Sequence, residues 1–459
     1  MIPMTLAEVA AAVDGTLHGV PDENLLITGP VEYDSRAVRP GGLFVAFAGA
    51  KVDGHEFAPA ALASGAVAVL GTRPVDAPTI VVADPLVALG RLARAVVDRL
   101  PELTIVGITG SSGKTTTKDQ IGQVLARHGA TVAPAGSFNN ELGLPHTVLK
   151  ADAGTRYLVL EMGARGIGHV AYLCGIAPPR VGVVINVGDA HIGEFGSVEA
   201  IARAKGELVE ALPAAGVAVL NVDDHRVRAM AARTGARVTF VGQDERADVR
   251  AVDVRLDARG RASYTLVTAG GSAPVALPVP GAHQVGNSLA AAAVGLAAGM
   301  TLAAVAEALT DLRSVSSRRM DVFDRADGVT VIDDSYNANP SSMAAALRAL
   351  TTVGDGRRRI AVLGYMAELG DHERAGHEGV GRLAAQLGVD LLVAVGTAGA
   401  IHDGALTVAQ WGGKSVHVTD QVQAVALLRD ELKPGDVVLV KGSRYRTWDI
   451  ADSLREAGA

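Results

Sequence analysis

The stretch Val106-Gly107-Ile108-Thr109-Gly110-Ser111-Ser112-Gly113-Lys114-Thr115-Thr116-Thr117 limits what this chain can fold into more than any other. Residues 103–108 are apolar and largely β-branched, which predicts a buried strand. Small residues follow, then a lysine and three threonines, and 118–128 has helical character. Strand, glycine turn and helix start are the context of a phosphate-binding loop. Gly and Ser let backbone N–H groups close around phosphate oxygens, and a helix N-terminus adds partial positive charge. Lys114 is then placed to reach the β- and γ-phosphates, and the Thr115 hydroxyl to ligate Mg²⁺. The spacing departs from the common GxxxxGK[ST], with Ile at 108 and glycines at 107, 110 and 113. The expectation is an ATP site.

A chain of 459 residues predicts about three domains at roughly 150 residues each. At 49% apolar and 20% charged residues it can bury a sizeable core, which argues against wholesale disorder. The net charge of −7 is spread without a basic tract, so no nucleic-acid partner is expected. Cys174 is the single cysteine, which excludes an intramolecular disulfide and fits a reducing cytosol. The N-terminal residues lack the pattern of a signal peptide. Residues 289–306 carry no charge, but Gly295, Gly299 and Thr301 interrupt them; a buried helix, a break and a second helix capped by Thr301 are predicted, not a membrane span.

Along the chain, 5–13 reads as a helix opened by Thr5 with Glu8 completing a capping box. A second helix, 84–100, is capped by Asp84-Pro85 and stopped by Pro101, where the first domain boundary is placed. Between them, Tyr33-Asp34-Ser35-Arg36 and Asp53-Gly54-His55-Glu56-Phe57 lie near the strand-like 43–47. Ser35-Arg36 fits a solvated turn as well as a binding loop, although Arg suits bidentate phosphate recognition.

From 101 to 313, strands predicted at 103–108, 157–161, 181–187 and 217–221 alternate with helices, which gives a mostly parallel sheet covered on both faces. Ligands gather at the carboxyl ends of such strands. Glu161, Asn186 with His191 a few residues on, and Asn221 with Asp223 and Asp224 stand just there. A carboxylate at that position beside a phosphate loop suits Mg²⁺, the role expected of Glu161. His191 alone reads as a surface histidine, and Lys205, in an amphipathic helix, as a solvated lysine. Residues 249–267 have hairpin character with a turn at 257–260. His283 and Asn287 would suit a purine contact. From 314 onward, strands at 329–332, 360–363, 391–395 and 436–440 predict a second α/β sheet. Asp333-Asp334-Ser335-Tyr336-Asn337-Ala338-Asn339-Pro340 ends the first and Lys441-Gly442-Ser443-Arg444 the last.

These motifs carry a family resemblance. Thr109 to Thr116, Asn139-Asn140-Glu141-Leu142-Gly143-Leu144-Pro145, Leu160-Glu161-Met162-Gly163-Ala164 and Ala190-His191 resemble the Mur ligases. The two third-segment motifs resemble the branch that adds D-alanyl-D-alanine, and Asp34-Ser35-Arg36 and Asp53 to Phe57 resemble its UDP-binding domain. The resemblance implies an α/β fold of three domains: 1–100 binding the UDP-linked substrate, 101–313 a central P-loop parallel-sheet ATPase, and 314–459 a Rossmann-like domain presenting the amine. It implies an ADP-forming ligase of peptidoglycan precursor synthesis, acting through an acyl phosphate as a cytoplasmic monomer on a UDP-linked tripeptide and a dipeptide amine.

By the family pattern, Thr109, Gly110, Ser111, Ser112, Gly113, Lys114, Thr115 and Thr116 bind ATP together with Asn287, Arg319, Asp334 and Asn337. Two Mg²⁺ are expected, held by Thr115, Glu161, His191 and Lys205, the last as a carbamate made from CO₂. Ser35, Arg36, Asp53 and His55 fall on the UDP side. Lys114, Lys205, His191 and Glu161 are the expected catalytic set. One departure stands out: Leu363-Gly364-Tyr365-Met366-Ala367-Glu368-Leu369-Gly370 has Tyr365 where the family carries an acid, and Tyr445-Arg446-Thr447-Trp448 is bulkier than usual. Both touch the amine side, so a related ligase using another amine or carboxylate remains open, as does a nucleotide-binding regulator without catalysis.

Overall fold

The computed structural model describes residues 1–49, 52–188, 192–443 and 445–456. Three sheets organise the chain. The first has five strands in the order Thr16–His18, Thr79–Val81, Ala66–Gly71, Gly42–Val45, Val31–Glu32, and a separate pair joins Met4–Thr5 to Leu26–Ile27. Thr5 caps the helix Leu6–Val13 through the expected box with Glu8, and Asp84 caps Pro85–Asp98.

The central sheet has nine strands. Its parallel part runs Arg237–Gly242, Val217–Asn221, Val181–Val184, Thr104–Thr109, Tyr157–Glu161, Thr131–Val132. The phosphate-loop strand Thr104–Thr109 thus has Val181–Val184 on one side and Tyr157–Glu161 on the other, in parallel register. Successive connections leave it in opposite directions, which opens a crevice at its carboxyl end. An antiparallel meander, Val249–Leu256, Arg261–Thr268 and Gly271–Pro280, extends the far edge. The strand predicted over 181–187 ends three residues earlier, because Ile185 and Asn186 turn toward the loop.

Side-chain alternation divides this sheet between two cores. Val106, Ile108, Val159, Val183 and Val219 face the helix Gln284–Ala297, whose alanines let it lie close against the sheet. Ile105, Leu158, Leu160, Val184 and Leu220 face the other way and share one core with the first sheet and the helix Pro85–Asp98. The uncharged run therefore belongs to the central core: it breaks at Gly299 (φ +92°), and Thr301 caps Leu302–Thr310. No helix among the described residues is long and apolar enough to cross a membrane.

The third sheet orders Asp321–Asp324, Thr330–Asp333, Val437–Lys441, Arg359–Leu363, Leu391–Val395, Lys414–Val418, parallel except at its first strand. Asp334, just past the strand Thr330–Asp333, and the strand end Lys441 line the same cavity as the carboxyl end of the central sheet, so two sets of strand termini close on it.

Candidate active site

Gly113 adopts φ +82° and opens the helix Lys114–Ala126. A side chain there would be strained, and its Cβ would come within 3.0 Å of Asn287 Oδ1. Asn186, one strand over, shapes the loop: its Oδ1 accepts from the Ser111 and Ser112 amides at 2.9 and 3.0 Å, and its Nδ2 donates to Ser112 O. Ser111 Oγ exchanges hydrogen bonds with the Gly188 backbone. Lys114 Nζ donates to Gly110 O at 2.8 Å. Enclosure holds its amine below the ordinary lysine value and Arg319 adds to this, while Glu161 and Glu368 work against it.

Glu161 ends its strand with both oxygens engaged. Oε2 accepts from Thr115 Oγ1 at 2.9 Å, and Oε1 from Ser137 Oγ and Asn139 Nδ2 at 2.9 and 2.8 Å. A carboxylate and a hydroxyl in contact at a helix N-terminus are the hard oxygen donors that Mg²⁺ takes, with phosphates and water completing its shell. The described residues contain no cluster of three or more His, Cys, Asp and Glu, so a cation here depends on such additional ligands.

The third sheet contributes the opposite wall. Arg319 is flanked by Arg318 and Met320 in the left-handed region (φ 59° and 55°), a backbone that costs each non-glycine residue about 1 kcal/mol or more. The strain aims its guanidinium over the Tyr336 ring at 4.1 Å, with Nη2 donating to Thr115 Oγ1 at 3.2 Å. Asp334 accepts from the Met320 amide and pairs with the buried Lys441 at 2.5 Å; Lys441 also donates to Asn337 O. Burial lowers the Lys441 pKa, and Asp334 opposes that shift.

Ser111 to Thr116, Glu161, Asn287, Arg319, Asp334 and Asn337 all line one cavity of about 1140 Å³. That is room for a nucleotide and part of a second ligand. Thr109 and Gly110, expected in the same set, do not line it: Thr109 is buried at the strand end, and Gly110 enters only through its carbonyl, which accepts from Lys114. His191 and Arg444 lie outside the described residues.

Lys205 corrects the solvated-helix expectation. It is 2% exposed, on the same face of Val198–Glu210 as Ile201, Ala204, Leu208 and Val209. Its amine has no hydrogen-bond or ion-pair partner among the described residues. Burial first and the charge of Lys114 second depress its pKa well below the ordinary lysine value.

The four residues expected on the UDP side form no common pocket with these. Arg36 is exposed and paired to Asp34 at 2.7 Å, which holds that carboxyl at about 2; Ser35 sits beside them in the same turn. His55 is a buried brace: Nδ1 meets Asp53 at 2.6 Å and Nε2 accepts from the Thr72 amide, so its ring nitrogens are already engaged. Tyr365 does not line the cavity either. Its hydroxyl donates to Glu373 at 2.5 Å and its ring stacks on His377. The acid that the resemblance placed at 365 thus has a counterpart one side chain away.

Sequence reasoning did not assign Ser137 and Asn139 to Glu161 or Gly188 to the loop, nor Asn186 as the loop's organiser. The strand-end position of Asn186 was the one available signal.

Three family profiles match the chain: Mur ligase family, catalytic domain, over 30–101; Mur ligase middle domain over 108–295; and Mur ligase, glutamate ligase domain, over 318–444. It is 49% identical to UDP-N-acetylmuramoyl-tripeptide–D-alanyl-D-alanine ligase of Mycobacterium tuberculosis, over 99% of this chain and 98% of that one. The Escherichia coli protein of the same name is 35% identical over the whole of both chains. Among solved structures, MurF from Acinetobacter baumannii superposes with a TM-score of 0.88 at 32% identity, covering 99% of each chain. The MurF ligase from Thermotoga maritima in complex with ADP gives 0.79 at 31% identity, covering 94% of this chain and 98% of that one.

Proposed function

The chain belongs to the Mur ligase family, and on that premise we propose how its residues join D-alanyl-D-alanine to UDP-N-acetylmuramoyl-tripeptide at the expense of ATP. The convergence of Lys114, the Thr115–Glu161 pair, Arg319 and the Asp334–Lys441 pair on one cavity carries this reading. A carboxylate is a poor electrophile. The tripeptide's terminal carboxylate therefore attacks the γ-phosphorus, releasing ADP and leaving an acyl phosphate. The dipeptide amine then adds to the carbonyl carbon, a tetrahedral intermediate forms, and its collapse expels phosphate as the nitrogen loses its proton.

The chain's part is positioning and charge. The amides of residues 110–116 surround the phosphates, and Lys114 and Arg319 stabilise negative charge where it builds. Asn287 contacts the base; Asp334, with Asn337 nearby, holds the ribose, the carboxylate oriented by Lys441. Thr115 and Glu161 would hold a Mg²⁺, which would neutralise phosphate charge, and His191 would contribute toward a second. Lys205 would support that second cation as a carbamate: its burial and the charge of Lys114 favour the uncharged amine, the form that adds to CO₂. Ser35 and Arg36 contact the UDP moiety, with Asp53 and His55 bracing the adjoining loop.

We assign 1–100 to the UDP-linked substrate, 101–313 to ATP and 314–459 to the amine. We propose that the enzyme acts in the cytoplasm as a monomer.

Phosphate release with both substrates present tests the reading. Wild type should release phosphate only when tripeptide and dipeptide are combined, and Lys114→Ala should lose at least about a hundredfold while keeping its melting temperature. Near wild-type turnover in that variant would remove the ATP-site assignment.

A further inference from the structure

Among the described residues lining the cavity, four carry a lysine or arginine: Lys114, Arg165, Arg319 and Lys441. Three are committed. Lys114 sits at the helix N-terminus, Arg319 is bound to Thr115 and Tyr336, and Lys441 to Asp334 and Asn337. Arg165 differs. It follows the strand Tyr157–Glu161 on a loop tied down where the Gly163 amide donates to Asn139 O at 2.7 Å. Its guanidinium makes no hydrogen bond among the described residues and is 64% exposed to the cavity mouth. Its one ion-pair partner there is Glu368, 3.7 Å away on the third-sheet side.

The incoming dipeptide has two charged ends. The amine is consumed in the reaction, but the carboxylate stays ionised and has to be placed so that the nitrogen meets the activated carbonyl. An ionised carboxylate in a partly dry cleft needs a cationic partner, and a guanidinium pairs with it through two parallel hydrogen bonds. Resting on the function proposed above, we infer that Arg165 receives the terminal carboxylate of the amine substrate. A long, partly exposed ion pair is weak, so exchanging Glu368 for a bidentate carboxylate loses little. The neighbouring segment supports this placement: Ala367 and Ser443, which also line the cavity, bond to one another beside Glu368. The arginine thereby selects amines that carry a carboxylate, and sets the reach between carboxylate and attacking nitrogen.

The experiment compares D-alanyl-D-alanine with its C-terminal amide in wild type, Arg165→Gln and Arg165→Lys. Wild type should favour the free acid by about ten- to a hundredfold in kcat/KM, the worth of one charge-assisted contact. Arg165→Gln should lose this preference by raising KM for the acid alone, with KM for the amide, ATP and UDP-linked tripeptide unchanged. Arg165→Lys should keep part of it. An undiminished preference in Arg165→Gln overturns the assignment. A raised KM for the UDP-linked tripeptide instead overturns it in favour of a carboxylate on that substrate. Failure of wild type to ligate either amine would overturn the functional reading along with it.

Discussion

Lys205 is the residue on which the physical argument turns. A buried amine without a partner is costly when charged, so the folded chain refuses a proton that the unfolded chain binds. Between the depressed native pKa and the ordinary value of 10.5, the unfolded state holds more protons, and stability rises with pH through that window. Lys205→Met should therefore raise the melting temperature at pH 7 in bicarbonate-free buffer while ligation falls. The gain should shrink by about 1.4 kcal/mol per pH unit on going toward pH 10. A destabilised variant at pH 7, or a gain independent of pH, would contradict the buried neutral amine. The helix did carry this signal: Lys205 follows Ile201 by four and precedes Leu208 by three, on the apolar stripe. Residue type outweighed position in the periodic reading. The Thr115–Glu161 contact was legible because both lie in motifs; Asn139 lies in one too, but its reach to Glu161, like that of Ser137, comes from a loop whose path no local pattern dictates.

At the scale of elements, parallel strands were legible because burial on both faces makes them uniformly apolar. Gly271–Pro280 was not. It contains Pro274, Pro278 and Pro280, which demote a run to an edge strand or a loop, and it is in fact the sheet edge. Contacts between elements distant in sequence were equally hidden. The short helix Ile192–Phe195 meets the third-sheet segment backbone to backbone: the Gly193 amide donates to Glu368 O at 3.3 Å. A Cβ at Gly193 would come within 2.4 Å of the Gly370 amide nitrogen. Neither side can yield, since both are main chain. Gly193→Ala should wedge the two sheets apart at the site, enlarging the radius of gyration in solution scattering. It should lower kcat by at least about tenfold, the equivalent of 1.4 kcal/mol, with ATP affinity little changed. An unaltered scattering profile and kcat would show that this contact plays no part in closing the cavity.

At the scale of the whole molecule, the first two segments are less separate than a boundary near residue 100 suggests. The first sheet, the helix Pro85–Asp98 and one face of the central sheet form a single core, and His146 ties the central segment to Glu32 at 3.0 Å. The third sheet keeps its own two cores and meets the rest mainly around the cavity. Two segments sharing one core and facing one further unit suit a reaction that excludes water from an acyl phosphate and then admits an amine. The claim at the centre of this account is that the peptide carboxylate itself takes the γ-phosphoryl group. Oxygen transfer tests it most directly, using UDP-linked tripeptide carrying the heavy oxygen isotope in its terminal carboxylate, with ATP and D-alanyl-D-alanine. The account predicts ADP, the amide product, and one labelled oxygen in each phosphate released. Unlabelled phosphate, or AMP with pyrophosphate, would contradict it.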